Sequence, residues 1–285
     1  MKISEIYKKK KSLSFEIFPP KKDDELKNID ETLSVLCELK PDFISVTFGA
    51  GGSSNNNRTI ELARKIKNEY GVEPVVHLTC IHYDRQEIDE FARVLEAEGI
   101  ENVLALRGDR NNRVVEKDVF KHSSDLINYL KPKHDFCFLG ACYPDMHPES
   151  DTRVRDIKDL KTKVDAGAEV LISQLFFDNN SFFTFKENCS IADIDVPILP
   201  GVMPVINAAQ IKRMISMCNV RFPERFQRII DRYEDNKDAL FDAGMSYALS
   251  QIIDLLVSDI QGIHLYTMNN PAVARRICEG IKNIV

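Results

Sequence analysis

The sequence predicts a (β/α)8 TIM barrel, an α/β fold, and three observations carry that prediction. Eight short apolar segments rich in Val, Ile, Leu and Phe recur along the chain, as strands covered on both faces should. Amphipathic stretches lie between them at a spacing of roughly 30 residues, the rhythm of strand, helical crossover and parallel strand. The 285 residues suffice for one barrel of about 250 residues. A doubly wound open sheet is the main alternative. No linker, low-complexity tract or repeat divides the chain, so residues 1–285 read as a single domain.

Residues 1–11 form a basic N-terminal arm or helix, with Lys8–Lys11 on a solvated face. The strand segments are Leu13–Phe18, Phe43–Phe48, Pro74–Thr79, Asn102–Leu106, Phe136–Cys142, Val170–Leu175, Val196–Val202 and Gly262–Thr267. Asp24–Leu39 reads as a helix. Another starts at Asp84, a natural N-cap whose spacing to Glu87 is that of a capping box, and stops at Gly99. Ser181–Asn188, Ala208–Cys218 and Lys237–Ser258 continue the helical series. Pro223–Tyr233 and the long helix after it form an insertion before the last strand. Asn269-Asn270-Pro271 opens the terminal helix, with Pro in its first turn.

Lys plus Arg number 38 against 44 Asp plus Glu, a net charge of −6. That balance argues against a general nucleic-acid binder but leaves room for local basic pockets that hold phosphates. The seven cysteines are scattered without a C-x-x-C pair, which suggests reduced thiols rather than disulfides or a zinc ribbon. A charge and a Pro-Pro pair stand where a signal peptide would be apolar, and no apolar run approaches about 20 residues. A cytoplasmic protein without a membrane span is expected.

Polar groups stand near the C-terminal ends of most strand segments: Glu16, Thr47, His77, Arg107 with Asp109, Tyr143, Gln174 and Tyr266. In a barrel those ends converge on the face that carries active sites. Each alone has a bland reading, such as an ion-paired Glu or a satisfied core His. Gly49-Ala50-Gly51-Gly52-Ser53 follows a strand and opens a helix, but Ser54 stands where a dinucleotide fingerprint has its third glycine. His77 and Cys80 fall on opposite faces of an extended segment, and His147-Pro-Glu149 is a thin motif, so no metal site is expected.

Eight blocks in register carry a resemblance. They are Ser14-Phe-Glu16-Ile-Phe-Pro-Pro, Val46-Thr47-Phe48-Gly49-Ala50, His77-Leu-Thr-Cys80, Ala105-Leu-Arg107-Gly108-Asp109, Tyr143-Pro-Asp-Met-His147-Pro-Glu149, Lys163-Val-Asp165-Ala-Gly167-Ala168, Gln174-Leu-Phe-Phe177-Asp178 and Pro200-Gly201. From about Ser14 to the C-terminus the chain resembles the bacterial single-domain methylenetetrahydrofolate reductases, themselves (β/α)8 barrels. The allostery of the C-terminal regulatory domain carried by larger eukaryotic members is not expected here.

The resemblance implies a flavoenzyme that binds FAD non-covalently. It would pass a hydride from NAD(P)H to 5,10-methylenetetrahydrofolate by ping-pong transfer and yield 5-methyltetrahydrofolate for one-carbon metabolism and methionine synthesis. A homo-oligomer is expected. Glu16 matches the proton donor that opens the folate's five-membered ring, and a Glu in an enclosed mouth can keep a proton near neutrality. Asp109 matches a carboxylate between flavin and pterin. The FAD set carried over is Thr47, Phe48, Ala50, His77, Arg107, Gly108, Asp109, Tyr143, His147, Asp156 and Lys163. Glu16, Thr47, Asp109, Gln174, Gln210 and Tyr266 form the substrate set.

Four departures stand out. Asn270 occupies the place of a folate-holding Arg, with Arg275 or Arg276 as candidate replacements. Met214 replaces an aromatic, Phe48 a common Tyr, and the loop Arg110–Phe120 is polar and basic. Competing readings are a relative that takes electrons from a partner protein, and a non-catalytic flavin- or folate-binding barrel.

Overall fold

A computed structural model describes residues 1–20, 26–48, 54–110, 114–218, 220–258 and 260–284. Among these described residues are nine strands, β1 (Ser12–Ile17), β2 (Phe43–Val46), β3 (Glu73–Thr79), β4 (Asn102–Leu106), β5 (Cys137–Cys142), β6 (Ala168–Ser173), β7 (Ile198–Leu199), β8 (Gly201–Val202) and β9 (Gly262–Tyr266). All pairings are parallel, in the order β7-β6-β5-β4-β3-β2-β1-β9-β8. The two ends of that order are halves of the single strand expected at Val196–Val202. Pro200 has no N–H to give the ladder and divides the strand. Ile198 and Leu199 pair with β6, and Gly201 and Val202 pair with β9. His264 N donates to Pro200 O at 3.0 Å, so the barrel closes around the break.

The barrel floor is stopped by a one-turn helix, α1 (Ile3–Ile6), which ends before the Lys8–Lys11 run. Ile3 and Ile6 are buried against inward-facing Phe43, Val75, Leu104, Leu139, Val170, Ile172 and Leu199. Asn102 ties this plug down: its Oδ1 accepts from Ile3 N at 2.8 Å, and its Nδ2 donates to Met1 O at 3.1 Å. The Met1 ammonium pairs with Glu73 at 2.8 Å and also with Glu101.

Around the sheet run α2 (Leu26–Glu38), α3 (Ser54–Tyr70), α4 (Arg85–Ala97), α5 (Ser123–Leu130), α6 (Arg153–Ala166) and α7 (Asn179–Ile191). The capping box at α4 forms as its spacing requires: Glu87 N donates to Asp84 Oδ1 at 3.0 Å, and Asp84 N to Glu87 Oε2 at 2.8 Å. Between helices and sheet lies the larger core, where each fully buried Leu, Ile or Phe is worth about 1.5–3 kcal/mol of transfer free energy.

The insertion comprises α9 (Glu224–Tyr233) and α10 (Lys237–Val257), preceded by α8 (Ala208–Cys218) and followed, after β9, by α11 (Pro271–Ile281). Phe226, Ile230 and Leu240 pack with Leu175, Phe177, Met203 and Val205 beside the barrel mouth. α10 is long and apolar enough to cross a membrane by composition, but it buries Leu240, Met245, Ala248, Ile252 and Leu255 within the molecule. Gly244 is required there, since a Cβ would come within 1.7 Å of Val205 O.

Candidate active site

Alternation along a strand decides which side chains enter the barrel. On β1, Ser12, Ser14 and Glu16 face inward. Thr47, Thr79, Arg107, Tyr143 and Gln174 follow at or just past the ends of β2 to β6, and Tyr266 ends β9. A cavity of 410 Å³ at this end is lined by Glu16, Thr47, Phe48, His77, Arg107, Gly108, Asp109, Tyr143, His147, Gln174 and Tyr266, with Met214 and Met268 from the insertion side. A second cavity of 650 Å³ shares Leu106, Arg107, Ala141, Tyr143 and His147 with the first. It runs outward past Asp156, Lys163 and the start of α5. The two cavities adjoin along that shared wall.

Glu16 is partly exposed to the first cavity, at 21% of its side chain. Its Oε2 lies 3.5 Å from His77 Nε2 and 3.8 Å from His264 Nε2. His77 is buried, and burial pulls its imidazole down to about 4, so it is neutral at physiological pH. Its Nε2 has no hydrogen-bond partner among the described residues. Asp109 is exposed at the rim. His82 steadies its loop, with Nε2 3.1 Å from Asp109 O and Nδ1 3.3 Å from Val115 O.

Arg107 is held by a two-pronged pair with Glu149, both contacts at 2.6 Å. The guanidinium holds the Glu149 carboxyl down at about 2. The His147 ring meets Tyr143 edge-on at 4.6 Å, and burial pushes the Tyr143 phenol up, so it stays protonated. His147 Nδ1 accepts from Glu149 N at 3.1 Å, and Asp156 Oδ1 accepts from His147 N at 3.3 Å. Burial raises Asp156 and lowers Lys163, whose Nζ donates to Ala141 O.

Gln174 is oriented by its own backbone neighbour: Oε1 accepts from Leu175 N at 2.9 Å, which leaves its NH2 free to donate elsewhere. Tyr266 donates to Ser173 O at 2.7 Å, and Ser173 Oγ accepts from Gly201 N at 2.8 Å. Gly201 makes that stitch possible, because a Cβ there would meet Ser173 O at 2.3 Å and Tyr266 Cε2 at 2.5 Å.

Among the expected site residues, Ala50 lies outside the described residues, as does Gly49–Ser53. Gln210 is on α8, half-buried, and is not among the residues lining the two cavities. Asn270 is the N-cap of α11, its Oδ1 accepting from Ala272 N at 3.0 Å. Asn269 clasps the end of the first strand, with Oδ1 accepting from Phe18 N at 3.0 Å and Nδ2 donating to Phe18 O at 2.8 Å. Arg275 and Arg276 are exposed on α11, and Arg275 sits 3.8 Å from Glu38, so neither lines the cavities. Among groups not anticipated are His264, Ser14 and Ser45 beneath Glu16. Each sits two residues before an anticipated one, so strand alternation alone places it on the same inner face.

The family model described as methylenetetrahydrofolate reductase matches residues 2–282. The 5,10-methylenetetrahydrofolate reductase of Escherichia coli is 36% identical over 267 residues, covering 94% of this chain and 89% of that protein. The methylenetetrahydrofolate reductase (NADH) 1 of Arabidopsis thaliana is 34% identical over 90% of this chain and 46% of its own length. A Clostridium thermocellum structure, described as binding two copies of 5-methyl-5,6,7,8-tetrahydrofolic acid, superposes with a TM-score of 0.64 at 12% identity. That superposition covers 100% of this chain and 99% of the other and speaks to the fold alone.

Proposed function

The chain belongs to the methylenetetrahydrofolate reductase family, and from that premise we propose that it reduces 5,10-methylenetetrahydrofolate to 5-methyltetrahydrofolate, with FAD as bound cofactor and NAD(P)H as electron source. The observation that carries the reading is the meeting of Glu16 and Asp109 in one cavity that shares a wall with a larger one. Two adjoining cavities suit an elongated dinucleotide. The unpartnered His77 Nε2, the Tyr143 ring and the Arg107 guanidinium, which would have to give up its Glu149 partner, supply the polar atom, aromatic face and cation that such a ligand needs. Thr47, Phe48, His77, Gly108 and Asp109 would hold FAD from the mouth, and Arg107, Tyr143, His147, Asp156 and Lys163 from the second cavity.

When bound, FAD supplies the hydride relay between nicotinamide and folate. The protein's part is acid catalysis and positioning. Glu16 delivers a proton to the departing ring nitrogen as the C–N bond of the folate's five-membered ring breaks, leaving an electrophilic iminium. The Asp109 carboxylate stabilises that cation. Gln174 offers its free amide N–H groups to the substrate, and Tyr266 closes the wall behind it. Methionine synthesis and cytoplasmic one-carbon metabolism are the setting this reading implies.

The test separates the two half-reactions. In Glu16→Gln, NAD(P)H should still bleach the yellow enzyme anaerobically, while its reoxidation by methylenetetrahydrofolate should fall by about 10²–10⁴-fold. Equal loss in both halves would give Glu16 a role in folding or flavin binding instead. Bleaching that requires an added protein fraction would favour a partner-protein electron donor, for which Met214 at the mouth leaves room.

A further inference from the structure

Between β9 and α11 the chain turns at the barrel mouth through two left-handed residues. Met268 and Asn269 both have φ of 54°, and Asn270 N donates to Thr267 O at 2.9 Å to close the turn. Positive φ at both central residues is the mark of a type I′ turn, whose usual occupants are Asn, Asp and Gly. Asn269 fits that position, and its side chain holds both backbone groups of Phe18. Met268 does not fit. A long side chain is disfavoured in the left-handed region, and a thioether is only a weak hydrogen-bond acceptor. Backbone held against its preference in this way collects at functional sites.

The turn is pinned on either side of Met268 to the end of β1, the strand that carries Glu16. Thr267 Oγ1 donates to Glu16 O at 2.8 Å, and Asn269 holds Phe18. Between these two clasps Met268 lines the same cavity as Glu16, Asp109 and Gln174. It is half-buried and packs, with Tyr266 and Met214, on the insertion cluster that includes Met203. We propose that Met268 is a specificity-determining contact for the substrate: the turn holds its thioether against the ring system of the reduced folate, beside the acid that acts on it. The proposal rests on the reductase reading above. Unbranched thioethers adapt to irregular apolar shapes and make favourable contacts with aromatic ring edges. Glycine or asparagine at this position would relieve the backbone and keep both clasps, but would leave the mouth without that contact. Because the turn is fixed to β1, the contact is assigned to the folate, on which Glu16 acts, and not to the nicotinamide.

The experiment combines thermal unfolding with titration calorimetry of 5-methyltetrahydrofolate on the purified protein. Met268→Gly and Met268→Asn should keep the thermal midpoint or raise it by up to about 4 °C. Both should bind the folate about tenfold more weakly, the scale of one lost thioether–ring contact. In turnover the folate Michaelis constant should rise by a similar factor with kcat little changed, and anaerobic bleaching by NAD(P)H should match the wild type. Met268→Leu returns an apolar side chain of similar volume and should recover most of the folate affinity without any rise in midpoint. Folate affinity unchanged in both relaxed variants overturns the proposal and makes Met268 a packing residue of the insertion cluster. An equal loss for NAD(P)H and folate, or no recovery in Met268→Leu, overturns it too. Wild-type protein that binds the folate without reducing its methylene form would sink the reductase reading, and weaker binding in Met268→Gly would still uphold the contact. Turnover in the wild type with binding unmoved in the variants would do the reverse.

Discussion

The two sides of the barrel interior are built in different chemistries. Toward β4, β5, β6 and β7, the inward side chains are Leu104, Leu139, Val170, Ile172 and Leu199, all buried and closely packed. Toward β9, β1, β2 and β3, Ser12, Ser14, Glu16, Ser45, His77 and His264 stand beside Phe43 and Val75, and of these all but Glu16 are buried. A barrel interior filled only for stability would not spend half its depth on groups that are costly to desolvate. The apolar side carries the packing energy. The polar side carries chemistry and recovers its desolvation cost through bonds between neighbouring strands, such as Ser14 to His264.

The largest expected effect tests that division. Leu139→Ala in the apolar side should cost about 2–5 kcal/mol in urea unfolding, whereas Ser45→Ala opposite it should cost about 0.5–1.5 kcal/mol. Equal losses would erase the distinction. A smaller effect appears with pH. His77 is lowered from its ordinary 6.5 to about 4 by burial, so the unfolded chain takes up its proton first as pH falls. Its contribution is fully present above about 6.5 and is lost on descending toward about 4, at no more than about 1.4 kcal/mol per pH unit. Urea midpoints measured across that window should flatten in His77→Gln. The Arg107–Glu149 pair titrates lower, between 4.5 and about 2, and leaves the upper part of the window to His77.

The smallest effect belongs to the rim of the polar side. Asn270→Ala removes the N-cap of α11 and should cost about 1 kcal/mol by thermal unfolding. Arg275→Ala and Arg276→Ala should leave the folate Michaelis constant unchanged, because both side chains face outward. A rise in that constant for either would mean that α11 reaches the substrate after all.

Much of this was legible in the sequence. Apolar strand segments and the capping box at Asp84 are local signals, and strand periodicity also placed Glu16, His77 and Tyr266 at the mouth end. Two things were not. Pro200 inside an apolar run gave no sign of which neighbour each half would pair with, since that depends on closure of the whole sheet. Ile3 and Ile6 are two ordinary apolar residues beside a lysine run, and only a floor to fill gives them a role. Asn270 stands where the resembled family has an Arg, and its duty in the fold is a backbone one, the cap of α11 that Asn before Pro at a helix start can signal.

The break at Pro200 also decides where the barrel breathes. Leu171 and Ile172 face Ile198 and Leu199, and His264 and Leu265 face Gly201 and Val202, so each side of the seam has two register partners where β1 and β9 have five. Opening a short ladder exposes few residues and is the low-energy local fluctuation of such a sheet. In deuterium the amides of Leu171 and His264, which donate to Pro197 and Pro200, should therefore exchange ahead of those in β3 to β5. His264 is then tied at two ends, its ring to Ser14 inside the barrel and its amide to the seam, where it reports how often the circle of strands comes undone.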